Sequence, residues 1–256
     1  MKLYKLLAGA ALLYGSTAIA QTALPTAPVA PIIVTTSPNE TEANTVATTN
    51  KVTIDQEGEN VDVNIVQTGT SNIIGTLANP VYLSGDNQNV IAIQTGNGNQ
   101  LYLGVVSGSA ENASADITVR QIGNLNYADI SCGTEITDVA CNKLNLNARF
   151  TGDSNSLVFN GSGANIRGSI DTTGDYNDYN IDVNAPNSTQ TLLTTGSYNK
   201  LDVTQAGTGG TFGHSLYVNL NGSFNTVTTQ QYGASETTIN ITSVGSNGTF
   251  DIKTGH

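Results

Sequence analysis

Gly174-Asp175-Tyr176-Asn177-Asp178-Tyr179-Asn180-Ile181-Asp182-Val183-Asn184 is followed 22 residues on by Gly196-Ser197-Tyr198-Asn199-Lys200-Leu201-Asp202-Val203-Thr204-Gln205-Ala206. Both stretches open on Gly-x-x-Asn and then alternate. Tyr179, Ile181 and Val183 fall on one side, and Asp178, Asn180, Asp182 and Asn184 on the other. Leu201, Val203 and Gln205 oppose Lys200, Asp202 and Thr204 in the same way. A period of two is the signature of a strand with one buried face. The glycine spacing alone would also suit a right-handed helical supercoil, but that structure excludes the alternation.

The pattern extends in both directions. Gly152, Gly174 and Gly196 are spaced by 22, each with Asn three residues later at Asn155, Asn177 and Asn199. Gly163 and Gly207 fall on half-steps of 11, and Gly58 with Gly69, Gly85 with Gly96, and Gly222 with Gly233 are also 11 apart. Gly222 again has Asn three residues on, at Asn225. The alternation recurs at Leu101 and Leu103, Ile117 and Val119, Leu157 and Phe159, and Ile239 and Ile241. Each unit therefore reads as one strand and a Gly turn, and two units as one coil of about 22 residues. One coil cannot bury its own apolar face, but coils stacked about 4.8 Å apart pair every strand above and below. The expected fold is all-β: a β-solenoid of stacked strand-turn-strand coils over residues 51–256. Asn199 and Gln205 share the inward parity, so inward amides are expected to bond along the axis as ladders, because a buried amide is costly without a partner.

Composition narrows the class further. Only 11% of residues are charged, 38% are hydrophobic, Gly numbers 27, and Trp is absent. The Glu, Lys and Arg that populate helix surfaces are scarce. A net charge of -11 with 9 basic residues opposes nucleic-acid binding. Residues 1–20 read as a cleaved secretion signal: Lys2 and Lys5, the short apolar run Leu6 to Leu13, and Ala18-Ile19-Ala20 as the cleavage site. The mature chain is then expected to carry -13 and to be exported. Residues 21–50 hold Pro25, Pro28, Pro31 and Pro38 and read as a Pro/Thr/Ala-rich extended tail or linker. Ile32-Ile33-Val34 is a candidate terminal strand there, opposed by the neighbouring prolines. Cys132 and Cys141 lie in a loop at about 129–143 that interrupts the repeat. In an oxidising compartment they favour a structural disulfide, worth about 2–3 kcal/mol, over a metal or redox site.

A more specific motif overlies the period. Gln67-Thr68-Gly69-Thr70-Ser71-Asn72, Gln94-Thr95-Gly96-Asn97-Gly98-Asn99 and Gln121-Ile122-Gly123-Asn124-Leu125-Asn126 share Gln-x-Gly-x-x-Asn, and the last continues to Ala128. Partial copies occur at Gln56, at Gln205 with Gly207, and at Gln231 with Gly233. This motif resembles the curlin repeat of curli fibre subunits, across about residues 51–255. The resemblance implies a bacterial extracellular amyloid subunit. It implies passage through an outer-membrane secretion pore with export chaperones. It also implies assembly, with itself or related subunits, into pilus-like fibres of the biofilm matrix that adhere to host or abiotic surfaces. The sequence departs from the family pattern where the half-steps at Gly163 and Ala185 lack both amides, and where Ala after Asn is replaced. A minor or nucleating subunit, or a monomeric or tethered surface adhesin, is the alternative.

Assembly also follows from the fold. An uncapped end strand presents free N–H and C=O groups and templates another chain. Phe250-Asp251-Ile252-Lys253 still alternates near the carboxyl end, with no capping helix in the sequence. Catalysis is not expected. Asp171, Asp175, Asp178 and Asp182 form the densest acidic group, but Asp178 and Asp182 have outward parity. Asp175 to Asn180 lacks the spacing of a known calcium loop. His214 has no Cys or acid near it in sequence, and His256 is terminal. No cofactor or metal is expected.

Overall fold

Each strand of the repeat pairs in parallel with the strand one coil away, as the stacking argument requires. The structure, a computed structural model, describes residues 32–34, 40–45, 52–69, 71–78, 80–96, 98–107, 114–123, 125–133, 141–207, 213–233 and 237–255. The expected signal at 1–20, most of 21–50, His256 and the Gln56 side chain lie outside the described residues. Among the described residues all regular structure is strand, and it forms a β-solenoid.

Two parallel sheets face one another. The first runs Ile32–Val34, Val52–Glu57, then a rung shared by Ile73–Ile74 and Val81–Gly85, then Gln100–Ser107 and Leu125–Cys132. It continues through Ser154–Ala164, Asn177–Asn184, Lys200–Ala206, Thr226–Tyr232 and Thr249–Gly255, with Cys141–Asn142 beside Ser154–Ala164. The second runs Glu40–Thr45, Asp62–Thr68, Gln88–Thr95, Ala115–Ile122, Leu144–Thr151, Arg167–Thr173, Thr189–Thr195, Ser215–Asn221 and Thr238–Val244. The sheets thus reach further back than residue 51: Ile32–Val34 pairs with Val52 to Ile54, and Glu40–Thr45 with Asp62 to Gln67.

The 22-residue coil holds only in the middle of the stack. Equivalent asparagines are 27 apart from Asn99 to Asn126, 29 to Asn155, 22 to Asn177 and again to Asn199, and 26 to Asn225. The extra residues enter mainly between strands, where the ladder is not disturbed. In the coil before Asn99 they instead split one rung into Ile73–Ile74 and Val81–Gly85.

The inward residues stack in columns along the axis. Ala128, Leu157, Tyr179, Leu201 and Val227 form one, and Ile130, Phe159, Ile181 and Val203 the next, all buried. Ile65, Ala92, Val119, Ala148, Ile170, Leu192 and Val218 oppose them from the second sheet. Burying one such Leu or Ile contributes about 1.5–3 kcal/mol, so the narrow core is the main stabilising term. Cys132 and Cys141 are joined, fully buried, with Cα atoms 5.4 Å apart. The loop they close is shorter than 129–143, because the strand Leu125–Cys132 runs straight to the first cysteine.

The turns explain the glycines. Gly174 and Gly196 have φ of 142° and 140°, which a side chain resists. A Cβ on Gly174 would strike the carbonyl oxygen of Gly152, and one on Gly196 that of Gly174. The glycines therefore form a column of their own, each packed on the one below.

Candidate functional site: amide ladders and an open end

The asparagine of Gly-x-x-Asn does two things at once. Its Nδ2 donates back to the glycine carbonyl of its own turn, as Asn155 to Gly152 at 3.0 Å and Asn225 to Gly222 at 2.8 Å. The same Nδ2 donates along the axis to the next asparagine. Asn99 reaches Asn126 at 2.8 Å, Asn126 reaches Asn155 at 2.6 Å, and Asn155 reaches Asn177 at 2.7 Å. Asn177 reaches Asn199 at 2.6 Å, and Asn199 reaches Asn225 at 2.8 Å. All are buried. Asn72 occupies the preceding rung with Oδ1 near the Gly96 turn, where the rungs at Asn99 and Asn126 place Nδ2. The ladder closes at the other end where Asn225 Nδ2 donates to Ser243 Oγ at 3.1 Å.

The glutamines are divided between the two sheets. Gln67, Gln94 and Gln121 are register partners in the second sheet, and Gln205 and Gln231 in the first. They stand at the same motif position but on opposite corners, so one continuous glutamine ladder does not exist. Phe150, Thr172 and Thr194 take over the column after Gln121. Gln67 Nε2 donates to Gln94 Oε1 at 3.2 Å, and Gln231 Nε2 to Gln205 Oε1 at 2.6 Å. Elsewhere the side chain spans the corner: Gln94 donates to the Gln100 carbonyl and Gln121 to the Tyr127 carbonyl, each at 3.0 Å. That bond is why Gln two residues before Gly accompanies Asn three residues after it. Gly207 and Gly233 carry the same corner on the opposite side, where the Cβ of Gly233 would meet the Gly207 carbonyl oxygen.

Three polar groups escaped the sequence reading. Gln88 replaces Asn after Gly85 and donates to its carbonyl at 2.8 Å, a Gly-x-x-Gln variant visible in the sequence. Gln190 is buried opposite Gly168, whose missing Cβ makes room for it. Ser188 Oγ lies 2.8 Å from His214 Nδ1, with Gln205 Nε2 donating to Ser188 Oγ at 3.2 Å. The two residues are 26 apart and share no motif. Ser188 is fully buried and His214 is 3% exposed, so the pair braces a corner and offers no opening to a substrate.

Burial pushes the His214 pKa below its ordinary value, against a raising backbone hydrogen bond with Gly207. The unfolded chain then binds the proton more readily, so stability is lost as pH falls through about 6.5. The protection of the Ser215–Asn221 amides, exchange being taken relative to an unstructured chain at the same pH, is expected to fall below that pH. His214→Gln is expected to flatten the profile, since Gln88 already occupies the same kind of corner position. A profile unchanged by the substitution overturns the assignment.

The acidic group is outward or engaged. Asp178 meets Lys200 Nζ at 3.0 Å, Asp171 meets Arg149 Nε at 3.5 Å, and Asp175 accepts from the Ser197 N–H at 2.7 Å. Among the described residues no group of three or more His, Cys, Asp or Glu is placed to hold a metal ion.

The last coil differs from the coil below it. Phe250 and Ile252 continue the core columns of Val227 and Thr229 but are 42% and 50% exposed, where Val227 is 1% and Thr229 fully buried. Among the described residues Thr238–Val244 and Thr249–Gly255, like Ile32–Val34 and Glu40–Thr45 at the other end, each pair on one side only. Gly248 stands where the asparagine rung would be, and Thr254 where the glutamine would be. The amide ladders therefore stop one coil short of this end, and what it presents is backbone edge and apolar side chain. No protein-family model, no curated protein and no solved structure matches this chain.

Proposed function

We propose that this is a secreted structural protein that self-assembles end to end into curli-like amyloid fibres of the biofilm matrix and contributes to adhesion. Its partners are further copies or related curlin-like subunits, and its route out is the secretion pore and chaperones that the motif implies. The observation that supports the reading is the stack of parallel, in-register coils laced by amide ladders. Among the described residues the edges of Thr238–Val244 and Thr249–Gly255 have no further partner, and with the half-exposed Phe250 and Ile252 they offer a template for another coil of the same width. The repeat supplies what a fibre needs inside each subunit: parallel in-register strands and stacked amides. The Gln-x-Gly-x-x-Asn copies at Gln67, Gln94 and Gln121 supply the link to curli subunits.

The mature chain, residues 21–256 with its disulfide intact, is expected to form unbranched fibrils seen by electron microscopy. Aligned fibres are expected to give reflections near ~4.7 and ~10 Å. At -13 the subunits repel, so added salt is expected to shorten the lag. A chain that stays monomeric and β-rich at all ionic strengths removes autonomous fibre formation. The tethered adhesin, or a subunit dependent on another for nucleation, then takes its place.

A further inference from the structure

Three successive coils place an aromatic residue just before the ladder asparagine: Tyr176, Tyr198 and Phe224. All three have left-handed backbone, with φ of 58°, 60° and 58°. The next coil gives this conformation to Asn247 in the same column, and other corners give it to Asn60, Asn87, Lys143, Asn165 and Asn187. A residue with a bulky side chain pays roughly 1–2 kcal/mol there, and asparagine less. The rings stack in parallel outside the solenoid. Tyr176 and Tyr198 have centroids 5.0 Å apart with planes at 6°, and Tyr198 and Phe224 are at 4.9 Å and 4°. Tyr176 is 60% exposed and Tyr198 48%. Stacking offsets part of the backbone strain, but it would do so equally for three phenylalanines. Two phenols held face to face in solvent have a chemistry that phenylalanine lacks.

We propose that Tyr176 and Tyr198 form an oxidative cross-linking site. A one-electron oxidant, such as a haem peroxidase supplied with hydrogen peroxide, converts the pair to dityrosine. Each phenol gives up one electron and one proton, leaving a phenoxyl radical with spin on its ortho carbons. The two radicals couple ortho to ortho, forming one carbon–carbon bond. Each ring then loses its ortho hydrogen as a proton while regaining its phenol O–H from water. Overall the pair loses two electrons and two protons, and one hydrogen peroxide takes them up to give two waters. The backbone holds the rings as neighbours, so coupling within the pair outruns encounters between dilute chains. Phe224 has no phenol and ends the reaction at one bond. That bond ties coils 22 residues apart, so they must open together. This proposal stands apart from the fibre reading.

The Tyr102–Tyr127 pair is the natural comparator. Its centroids are 5.4 Å apart, but its rings are tilted at 48°, both are half-buried, and the Tyr127 hydroxyl bonds Asp129. Dilute full-length protein treated with a haem peroxidase and hydrogen peroxide is expected to gain dityrosine fluorescence while remaining monomeric on a denaturing gel. The tryptic fragment between Arg167 and Lys200 is expected to lose the mass of two hydrogens. Cleavage at Asp178 and Asp182 is then expected to leave the piece with Tyr176 joined to the piece with Tyr198, while the short piece with Tyr179 is released. Tyr176→Phe and Tyr198→Phe are each expected to lower the fluorescence about tenfold. Both should fold, because Phe224 holds the same backbone conformation one coil on, and circular dichroism checks this. Undiminished fluorescence in both folded variants, a cross-link mapped to Tyr102 and Tyr127, or a product found only between chains overturns the proposal.

Discussion

Asn177→Asp is expected to destabilise the solenoid by about 3–5 kcal/mol at neutral pH and to recover part of that loss in acid. The side chain is 1% exposed in the middle of the ladder. Its Oδ1 accepts from Asn155, and its Nδ2 donates to the Gly174 carbonyl at 2.5 Å and to Asn199 Oδ1 at 2.6 Å. A carboxylate keeps the first bond and sets an oxygen against two oxygens. Burial and that repulsion raise the folded pKa of the new acid above its unfolded value near ~3.9. The native state then binds the proton more tightly, so stability is present at low pH and is lost as pH rises through the folded pKa. Urea unfolding at neutral and at mildly acidic pH measures the difference. Asn177→Leu loses the same donations without a titratable group and should show no such recovery. A neutral Asn177→Asp, or one whose loss is independent of pH, would mean that the ladder bonds contribute little to the stack.

How much of this was legible follows from what each feature depends on. The inward and outward faces depend only on parity, so Leu201, Val203 and Gln205 are buried as read and Lys200 and Asp202 are not. The asparagine ladder was legible for a related reason. Every Gly-x-x-Asn that carries it falls on one corner, and a rung needs only the residue above and below. The glutamine positions depend on register, which insertions elsewhere decide. Gln121 and Gln205 look alike locally, yet they end in different sheets. The Ser188–His214 contact needs the 26-residue coil, which no 22-residue period predicts. Ile32-Ile33-Val34, a candidate strand that the neighbouring prolines oppose, is paired with Val52 to Ile54. Those prolines lie outside the paired residues, and the three-residue strand fits between them. The bareness of the last coil was written in Gly248 and Thr254, but it acquires meaning only once the register aligns them with Asn225 and Gln231.

Phe250→Lys with Ile252→Lys is expected to stop end-to-end growth while leaving the subunit folded. Both residues are already about half exposed, so the monomer loses little when they become polar. At a fibre junction they would be buried as Val227 and Thr229 are one coil below. Losing that burial forgoes about 3 kcal/mol or more, roughly 100-fold or more in the growth equilibrium, before any cost of desolvating an ammonium group. The charge change runs the other way. Two lysines bring the mature chain from -13 toward neutrality, which by itself weakens repulsion and favours assembly. A block to growth in this variant therefore comes from the end face and not from net charge. Asn240→Lys with Thr242→Lys adds the same charge on the outward face of the last coil and should assemble at least as fast as the parent. Seeded growth followed by light scattering compares the three. If the Phe250 and Ile252 variant elongates seeds as the parent does, this end is not the growing face. Because the asparagine ladder stops at Asn225, the remaining source of specificity would then be the backbone edges alone, which any flat strand could match.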